Sequence, residues 1–147
     1  MNLYIKTFQE LTTKELYEIL RVRAEVFVVE QNCIYQDLDE KDMDSLHLFY
    51  EKDGRIQAYL RIFIKDPKTK LVQIGRVLTT METRGTGLGL EILEEGLKSA
   101  GRHFEAEEVY IEAQCYAIGF YEKVGFQVTS EEFLEDGIPH VEMRVRL

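Results

Sequence analysis

The chain of 147 residues has no tryptophan, two prolines and only two cysteines. Cys33 and Cys115 are too few for the disulfide framework of a small secreted protein, and they predict a reduced, cytoplasmic protein. No group of cysteine and histidine residues has the spacing of a zinc site, so we expect no metal. The N-terminal segment is too short and polar for a signal peptide, and no apolar run reaches the length of a membrane span.

Positive charge is also scarce, because 18 lysine and arginine residues stand against 27 aspartate and glutamate residues, giving a net charge of −9. Nucleic-acid binding needs a basic surface that neutralises phosphates, so this balance excludes nucleic acid as a main partner. It favours a cationic partner such as an amine. The length fits a single domain over residues 1–147, and the 45% hydrophobic content supplies a core for it.

A glycine-rich turn is the most informative feature. The segment Arg84-Gly85-Thr86-Gly87-Leu88-Gly89-Leu90 follows a run that predicts a strand over 70–79, and it opens a helix predicted over 88–100. Glycine lets a ligand approach the backbone, and the unpaired N–H groups of a first helical turn attract phosphate. We therefore expect a phosphate-bearing ligand here, bound by backbone donors from Thr86 to Leu90.

The spacing of this turn excludes two common phosphate-binding motifs. A nucleoside-triphosphate loop needs Lys and then Ser or Thr after its last glycine, where this chain has Leu90 and Glu91. A dinucleotide fingerprint begun at Gly85 would need glycine in place of Leu90. What remains is an Arg-x-x-Gly-x-Gly pattern formed by Arg84, Gly87 and Gly89. The alternative is a turn with a purely structural role.

A second motif follows one predicted strand later. The segment Ala117-Ile118-Gly119-Phe120-Tyr121-Glu122-Lys123-Val124-Gly125-Phe126 predicts a short helix that Gly125 stops. In this order, the two motifs resemble those of the GNAT superfamily of N-acetyltransferases, which bind acetyl-CoA. The segments 22–31, 74–77 and 135–143 resemble its ElaA-like branch, with Tyr116 where that branch often has histidine.

The order of the predicted elements indicates an α+β sandwich. We expect strands over 3–7, 46–51, 56–64, 70–79, 109–113, 126–130 and 140–146, with helices from the Thr12-x-x-Glu15 capping box to Phe27, over 88–100 and over 117–124. The Asp53-Gly54 turn predicts a hairpin between the strands over 46–51 and 56–64. Gly101 is expected to end the central helix. The resemblance implies a mixed, mostly antiparallel seven-stranded sheet, flanked by about four helices and splayed between its fourth and fifth strands.

The resemblance also implies a reaction: direct transfer of acetyl from acetyl-CoA to a primary amine, on a small molecule, protein or peptide, in a ternary complex. Tyr121 would be the general acid, since a phenol keeps its proton at neutral pH; the alternative is a core tyrosine. A bulge around Val77, Leu78 and Thr79 would present backbone N–H groups that bind the pantetheine arm and polarise the thioester. The further cofactor contacts expected are Gln114, Tyr116, Phe120 and Lys123.

The sequence does not single out the group that deprotonates the amine. Glu112, Glu30 and His47 are candidates, and each is equally consistent with an ordinary structural role. An acidic stretch after the first helix is typical either of a cation-binding cluster or of a solvated loop. The residues expected to contact the acceptor amine are Glu30, Asp37, Asp39, Asp42 and His140.

Two other functions remain open. The fold would equally carry a non-catalytic, regulatory acetyl-CoA-binding module, because a fold alone does not establish activity. If the glycine turn is only structural, the chain is a CoA-independent interaction protein, which predicts no thermal stabilisation by acetyl-CoA. For assembly, a homodimer is the default expectation.

Overall fold

Eight strands and three α-helices make up the fold of residues 1–147, described here from a computed structural model. In chain order they are β1 (Asn2–Thr7), α1 (Thr13–Arg23), β2 (Leu46–Lys52), β3 (Arg55–Asp66), β4 (Leu71–Thr79), α2 (Leu88–Phe104), β5 (Glu108–Gln114), α3 (Ile118–Glu122), β6 (Gln127–Val128), β7 (Phe133–Glu135) and β8 (Ile138–Arg146). A π-helical segment, Ala24–Glu30, continues α1. None of the helices has the length and apolar character needed to cross a membrane.

All strands join one sheet in the order β1-β2-β3-β4-β5-β8-β6, and β7 also pairs with β8. The neighbours β4 and β5 are parallel and pair only over Leu71–Gln73 against Glu108–Tyr110, whereas the other pairs are antiparallel. Beyond Gln73 the two strands separate and leave a cleft between them. The predicted mixed sheet, splayed between its fourth and fifth strands, is therefore confirmed.

Helices cover both faces of the first half of the sheet. On one face α2 packs on the larger hydrophobic core, which includes Leu60, Ile74 and Ile92. On the other face α1 packs on a smaller core through Ile19 and Val22. Because both faces of β2 and β3 are covered, consecutive residues of these two strands are buried, rather than every second residue.

Several boundaries differ from the sequence predictions. The central helix runs through Gly101 to Phe104 and ends at Glu105, whose φ of 53° is left-handed. The strand expected over 126–130 shortens to Gln127–Val128, and the acidic loop after it contains β7, which was not predicted. The Asp136-Gly137 turn, with φ of 50° and 77°, folds β7 back on β8 as a hairpin, so the sheet has eight strands rather than seven.

Candidate active site

The glycine turn leads directly into the N-terminus of α2. Gly85 and Gly87 have φ of 81° and 88°, values that glycine adopts without strain. Gly87 is the N-cap of α2 and offers no side chain to cap it. The N–H of Thr86 donates to the Thr83 carbonyl, 3.3 Å away, and is occupied. The donors that the first turn offers to an anion are therefore those of 88–90 rather than of Thr86.

Gly89 brings this turn against α3. A Cβ at Gly89 would lie 3.3 Å from the Phe120 ring and 3.5 Å from Cγ2 of Thr79. The end of β4, the N-terminus of α2 and α3 therefore meet at one point. The structure brings together Thr79, Gly89 and Phe120 from the predicted cofactor-binding set, while Lys123 lies exposed at the end of α3.

Arg84 ties the turn to its neighbours. Its Nε and Nη2 donate to the Thr79 carbonyl at 3.2 and 2.9 Å, and Nη2 also donates to Oε1 of Glu30 at 2.6 Å. The guanidinium thus links the turn, the end of β4 and the end of the π-helical segment. Arg84 and Glu30, predicted as ligand contacts, are each other's ion-pair partners, and neither lines the cavity described below.

A β-bulge interrupts β4 beside the cleft. Gly75 pairs with Arg61 and Leu78 pairs with Tyr59, so two residues of β4 stand opposite one residue of β3. Arg76, at the bulge, has a left-handed φ of 52°. A bulge releases backbone groups from the ladder and redirects the strand. The bulge that the resemblance implied near Val77 is present.

A cavity of about 490 Å³ fills the cleft between β4 and β5. From the predicted site it gathers Asp39, Val77, Glu112, Gln114, Tyr116, Tyr121 and His140. The predicted residues that do not line it are Glu30, Asp37, Asp42, His47, Leu78, Thr79, Phe120, Lys123 and 84–90. The cavity and the glycine turn are therefore separate features, which α3 and the end of β4 connect.

Tyr121 lies on the wall of the cavity beside the core. Its ring makes edge-to-face contacts with Phe120 and Phe126, at centroid distances of 5.1 and 5.8 Å. Burial raises the pKa of the Tyr121 phenol, and the neighbouring Tyr116 adds to the effect. The phenol therefore keeps its proton at neutral pH and is a donor on the cavity wall.

The acidic stretch after α1 enters a buried ion-pair network. Arg23, fully buried, donates to Oδ2 of Asp37 at 3.0 Å and to Oδ1 of Asp42 at 2.6 Å. Arg61 also donates to Oδ1 of Asp42, at 2.9 Å. Asp37 and Asp42 are less than a tenth exposed, so they have internal partners and no access to a substrate. The solvated-loop alternative does not describe them either.

Asp39 closes the same network at its exposed side. Both its carboxylate oxygens accept from Arg61, at 2.8 and 2.5 Å, and Arg76 reaches it at 3.5 Å. Arg76 also donates from Nε to Asp37 at 2.9 Å. Three aspartates of one loop thus bind three arginines, from α1, β3 and β4. The network fixes the loop as one wall of the cavity, with its charges balanced.

His47 is a core histidine. Its Nε2 donates to the Asp42 carbonyl at 2.8 Å, and its Nδ1 accepts from the Tyr59 hydroxyl at 2.6 Å, an assignment that follows because a carbonyl only accepts. Burial lowers the pKa of His47, so the ring is neutral. His47 is fully buried and lies outside the cavity, so it has no access to an amine.

The opposite wall of the cavity is acidic. In the β5–β8 ladder Glu112 stands opposite Glu142 and Gln114 opposite His140, so these side chains share a face. Glu112, Gln114 and His140 line the cavity together with Glu135 of β7, whose Oε2 lies 3.5 Å from Nε2 of His140. Sequence reasoning missed Glu135, although the Asp-Gly turn that places it beside His140 is the signal that correctly predicted the β2–β3 hairpin.

The π-helical segment supplies a further part of the site that the sequence did not predict. Phe27 and Gln31 line the cavity, and the side-chain amides of Gln31 and Gln114 exchange hydrogen bonds at 3.3 and 3.4 Å. This contact joins the end of the π-helical segment to the end of β5 across the cavity. No sequence pattern predicts these seven residues of π-helix, and such segments often occur at functional sites.

Comparisons with known proteins agree with this arrangement. A family model described as an acetyltransferase (GNAT) domain matches residues 9–147. Protein ElaA of Escherichia coli is 39% identical over 136 residues, 91% of this chain and 89% of that protein. Its crystal structure aligns with a TM-score of 0.91 over 97% of both chains. A crystal structure of an acyl-CoA N-acyltransferase from Pseudomonas aeruginosa aligns with a TM-score of 0.89 and 41% identity, covering 98% of this chain and 99% of that one.

Proposed function

The chain belongs to the GNAT acetyltransferase family and to its ElaA-like branch, and from this premise we propose that it transfers acetyl from acetyl-CoA to a primary amine. The observation that carries the proposal is the position of Tyr121. Its protonated phenol lies on the wall of a cavity that opens between the β4 bulge and β5, and α3, which carries it, also contacts the glycine turn. One short helix therefore connects an anion-binding turn to a proton donor.

The residues around α2 fit an acyl-CoA. The pyrophosphate would accept hydrogen bonds from the N–H groups of 88–90, where the helix dipole also favours negative charge. The pantetheine arm would lie along β4 near Val77 and Thr79, whose ladder the bulge interrupts. Bound there, acetyl-CoA supplies the thioester whose carbonyl carbon is attacked.

The cavity residues then have separate tasks. A backbone N–H at the bulge, near Val77, would polarise the thioester carbonyl oxygen, a contribution that grows where water is excluded. Tyr121 would donate a proton to the departing thiolate, because its raised pKa keeps the phenol protonated at neutral pH, and the proton that the acylated nitrogen then loses would restore the phenol. No covalent intermediate with the protein is required.

The acceptor is proposed to be a cationic amine, on a small molecule or on a protein or peptide. Arg61 and Arg76 on the β3–β4 wall are paired with aspartates, so they do not repel it. Glu112 makes no ion pair, and the one basic partner of Glu135 is His140. An ammonium group is therefore attracted to the β5–β8 wall, and the net charge of −9 favours its approach.

Two measurements test this function. Isothermal titration should detect binding of acetyl-CoA and CoA but not of ATP, and absence of binding by all three would exclude an acyl-CoA site. Release of free thiol from acetyl-CoA, followed across a library of amines, should then identify acceptors. Tyr121→Phe should lower kcat by roughly 10²-fold with acetyl-CoA affinity unchanged. Tyr17→Phe, on the exposed face of α1, is the matched control and should have no effect.

Turnover separates the proposal from its main alternative. A non-catalytic acyl-CoA-binding module would bind acetyl-CoA and acetylate no amine in the library. In that case Tyr121→Phe would leave every measured property unchanged apart from stability.

A further inference from the structure

Two glutamates from different strands meet on the acceptor side of the cavity. Glu112 lies in β5, and Glu135 lies at the end of β7, which reaches β5 only through β8. Both line the cavity that Tyr121 also lines. The negative charge of Glu112 also acts on the Glu135 carboxyl. Two like charges so placed are costly unless they share a proton or receive a cation.

The charged groups around Glu135 come from every element packed against it. They are Glu112 on β5, His140 on β8 and Asp136 in the turn that follows β7. No lysine or arginine pairs with Glu112 or Glu135. The cations of the cavity wall, Arg61 and Arg76, are bound to the aspartates of the buried network instead.

His140 holds a fixed orientation beside Glu135. Its Nδ1 donates to the Ile138 carbonyl at 2.7 Å, and its ring stacks on Phe133 with centroids 6.0 Å apart. Its Nε2 therefore faces Oε2 of Glu135. His140 also lines the cavity, and its contact with Oε2 makes it a positioning residue for the Glu135 carboxylate.

This surrounding makes Glu135 a stronger base than an ordinary carboxylate. The Glu135 side chain is 46% exposed, and the partial burial of its carboxyl and the negative charge of Glu112 together raise its pKa against the opposing effect of His140. A base whose conjugate acid is weaker takes a proton more readily from an alkyl ammonium group, whose own pKa is higher still. Because the two carboxyl groups interact, their titration belongs to the pair.

We propose that Glu135, paired with Glu112 and oriented by His140, accepts the proton of the acceptor's ammonium group and so activates the amine for attack. The inference rests on the proposed acetyl transfer and names its missing base. One ammonium proton passes to the Glu135–Glu112 pair, and the nitrogen lone pair forms the C–N bond. As the C–S bond breaks, the thiolate takes a proton from Tyr121. Nitrogen loses a second proton, which restores the Tyr121 phenol, and the pair releases the first proton to water.

The test compares two acceptor probes of similar size with acetyl-CoA at pH 7. n-Propylamine is protonated and needs a base, whereas methoxyamine is largely unprotonated and does not. Glu135→Gln should lower kcat with n-propylamine by roughly 10²-fold and change kcat with methoxyamine by less than about threefold. Glu131→Gln, an exposed glutamate of the same loop outside the cavity, should change neither rate. An equal loss with both probes, or no loss with either, overturns the proposal.

A second measurement does not depend on turnover. The Glu135 side-chain carboxyl resonance, followed by ¹³C NMR from pH 3 to 8, should titrate above the range of an ordinary glutamate, and Glu112→Gln should lower its midpoint. An ordinary midpoint in both proteins overturns the proposal. The proposed function fails differently, since acetyl-CoA would then not bind the wild-type protein in the titration above.

Discussion

The buried Arg–Asp network gives a prediction whose magnitude follows from the structure. Asp42→Asn removes the one carboxylate that accepts hydrogen bonds from both Arg23 and Arg61. Asp42 is 8% exposed and Arg23 is 0% exposed, so water does not replace the lost charge. Breaking a buried ion pair from one side costs about 3–5 kcal/mol. Each arginine keeps another aspartate, Asp37 or Asp39, and we therefore expect the lower end, about 3 kcal/mol.

This loss is large against the total stability of such a domain, about 5–15 kcal/mol. For a chain of this length it corresponds to a fall in Tm of about 10 °C. Urea denaturation and calorimetry would measure both quantities. Asp44→Asn changes an exposed aspartate of the same 3-10 turn that makes no ion pair, and its effect should stay within about 0.5 kcal/mol. A loss below about 1 kcal/mol for Asp42→Asn would refute the reasoning.

The pH dependence of the same variant supplies an independent check. Burial by itself raises the pKa of Asp42, but the hydrogen bond and charge of Arg23 outweigh it, and the pKa is lowered. Between the folded and the unfolded pKa the unfolded chain binds more protons, so this stabilisation is complete above about pH 4 and is lost as the pH falls further. On acidification below pH 4, the free energy of unfolding should therefore fall less in the Asp42→Asn variant than in the wild type.

Two pairs of glycine substitutions complete the predictions. Gly87→Ala forces a side chain onto a left-handed φ of 88° at the α2 N-cap and should weaken acetyl-CoA binding by roughly tenfold in calorimetric titration. Gly54→Ala imposes a similar strain at φ 77° in the β2–β3 hairpin and should leave the affinity unchanged. Equal affinities in the wild type and both variants would contradict the proposed binding of the pyrophosphate at the glycine turn. Neither new Cβ meets an atom within 4 Å, so crowding is not the cause. Within α2, Gly96→Ala should destabilise by about 1–3 kcal/mol, because its Cβ would lie 3.0 Å from Leu60 in the core. The Cβ of Gly101→Ala would lie 4.0 Å from Leu147, so this variant should instead raise the free energy of unfolding by roughly 0.5–1 kcal/mol in urea denaturation. If both substitutions changed stability in the same direction, the space around each Cβ would not be what determines the effect.

The fold was predictable because its signals are local. The Thr12–Glu15 capping box, the Asp53-Gly54 turn and the glycine turn before α2 each specify a conformation through neighbouring residues, and all three elements form as predicted. The end of α2 was not predictable from Gly101. A glycine inside a helix costs only about 1 kcal/mol, and the burial of Ala100 beside it keeps the helix continuous past that point.

The predicted site was right where the motif is local and incomplete where partners come from far along the chain. Asp37 and Asp42 lie 14 and 19 residues from Arg23, and no sequence spacing predicts that α1 buries a guanidinium between them. His47 is hidden for a related reason. A strand covered on one face would expose alternate residues, but both faces of β2 are covered, so a polar residue in it lies in the core.

The same network decides which part of the cavity selects the acceptor. The net charge of −9 favoured a cationic acceptor, and the acidic stretch after α1 was one candidate place for it, yet the charges of that stretch are neutralised by arginines. Neutralising them removes both its attraction for a cation and the repulsion that Arg61 and Arg76 would exert. The cavity carboxylates that no lysine or arginine pairs with are those of Glu112, Glu135 and Asp136, on the opposite wall. We therefore expect any preference for a cation to arise on the β5–β8 wall of the cavity that holds Tyr121, where an ammonium group would lie beside its proposed base.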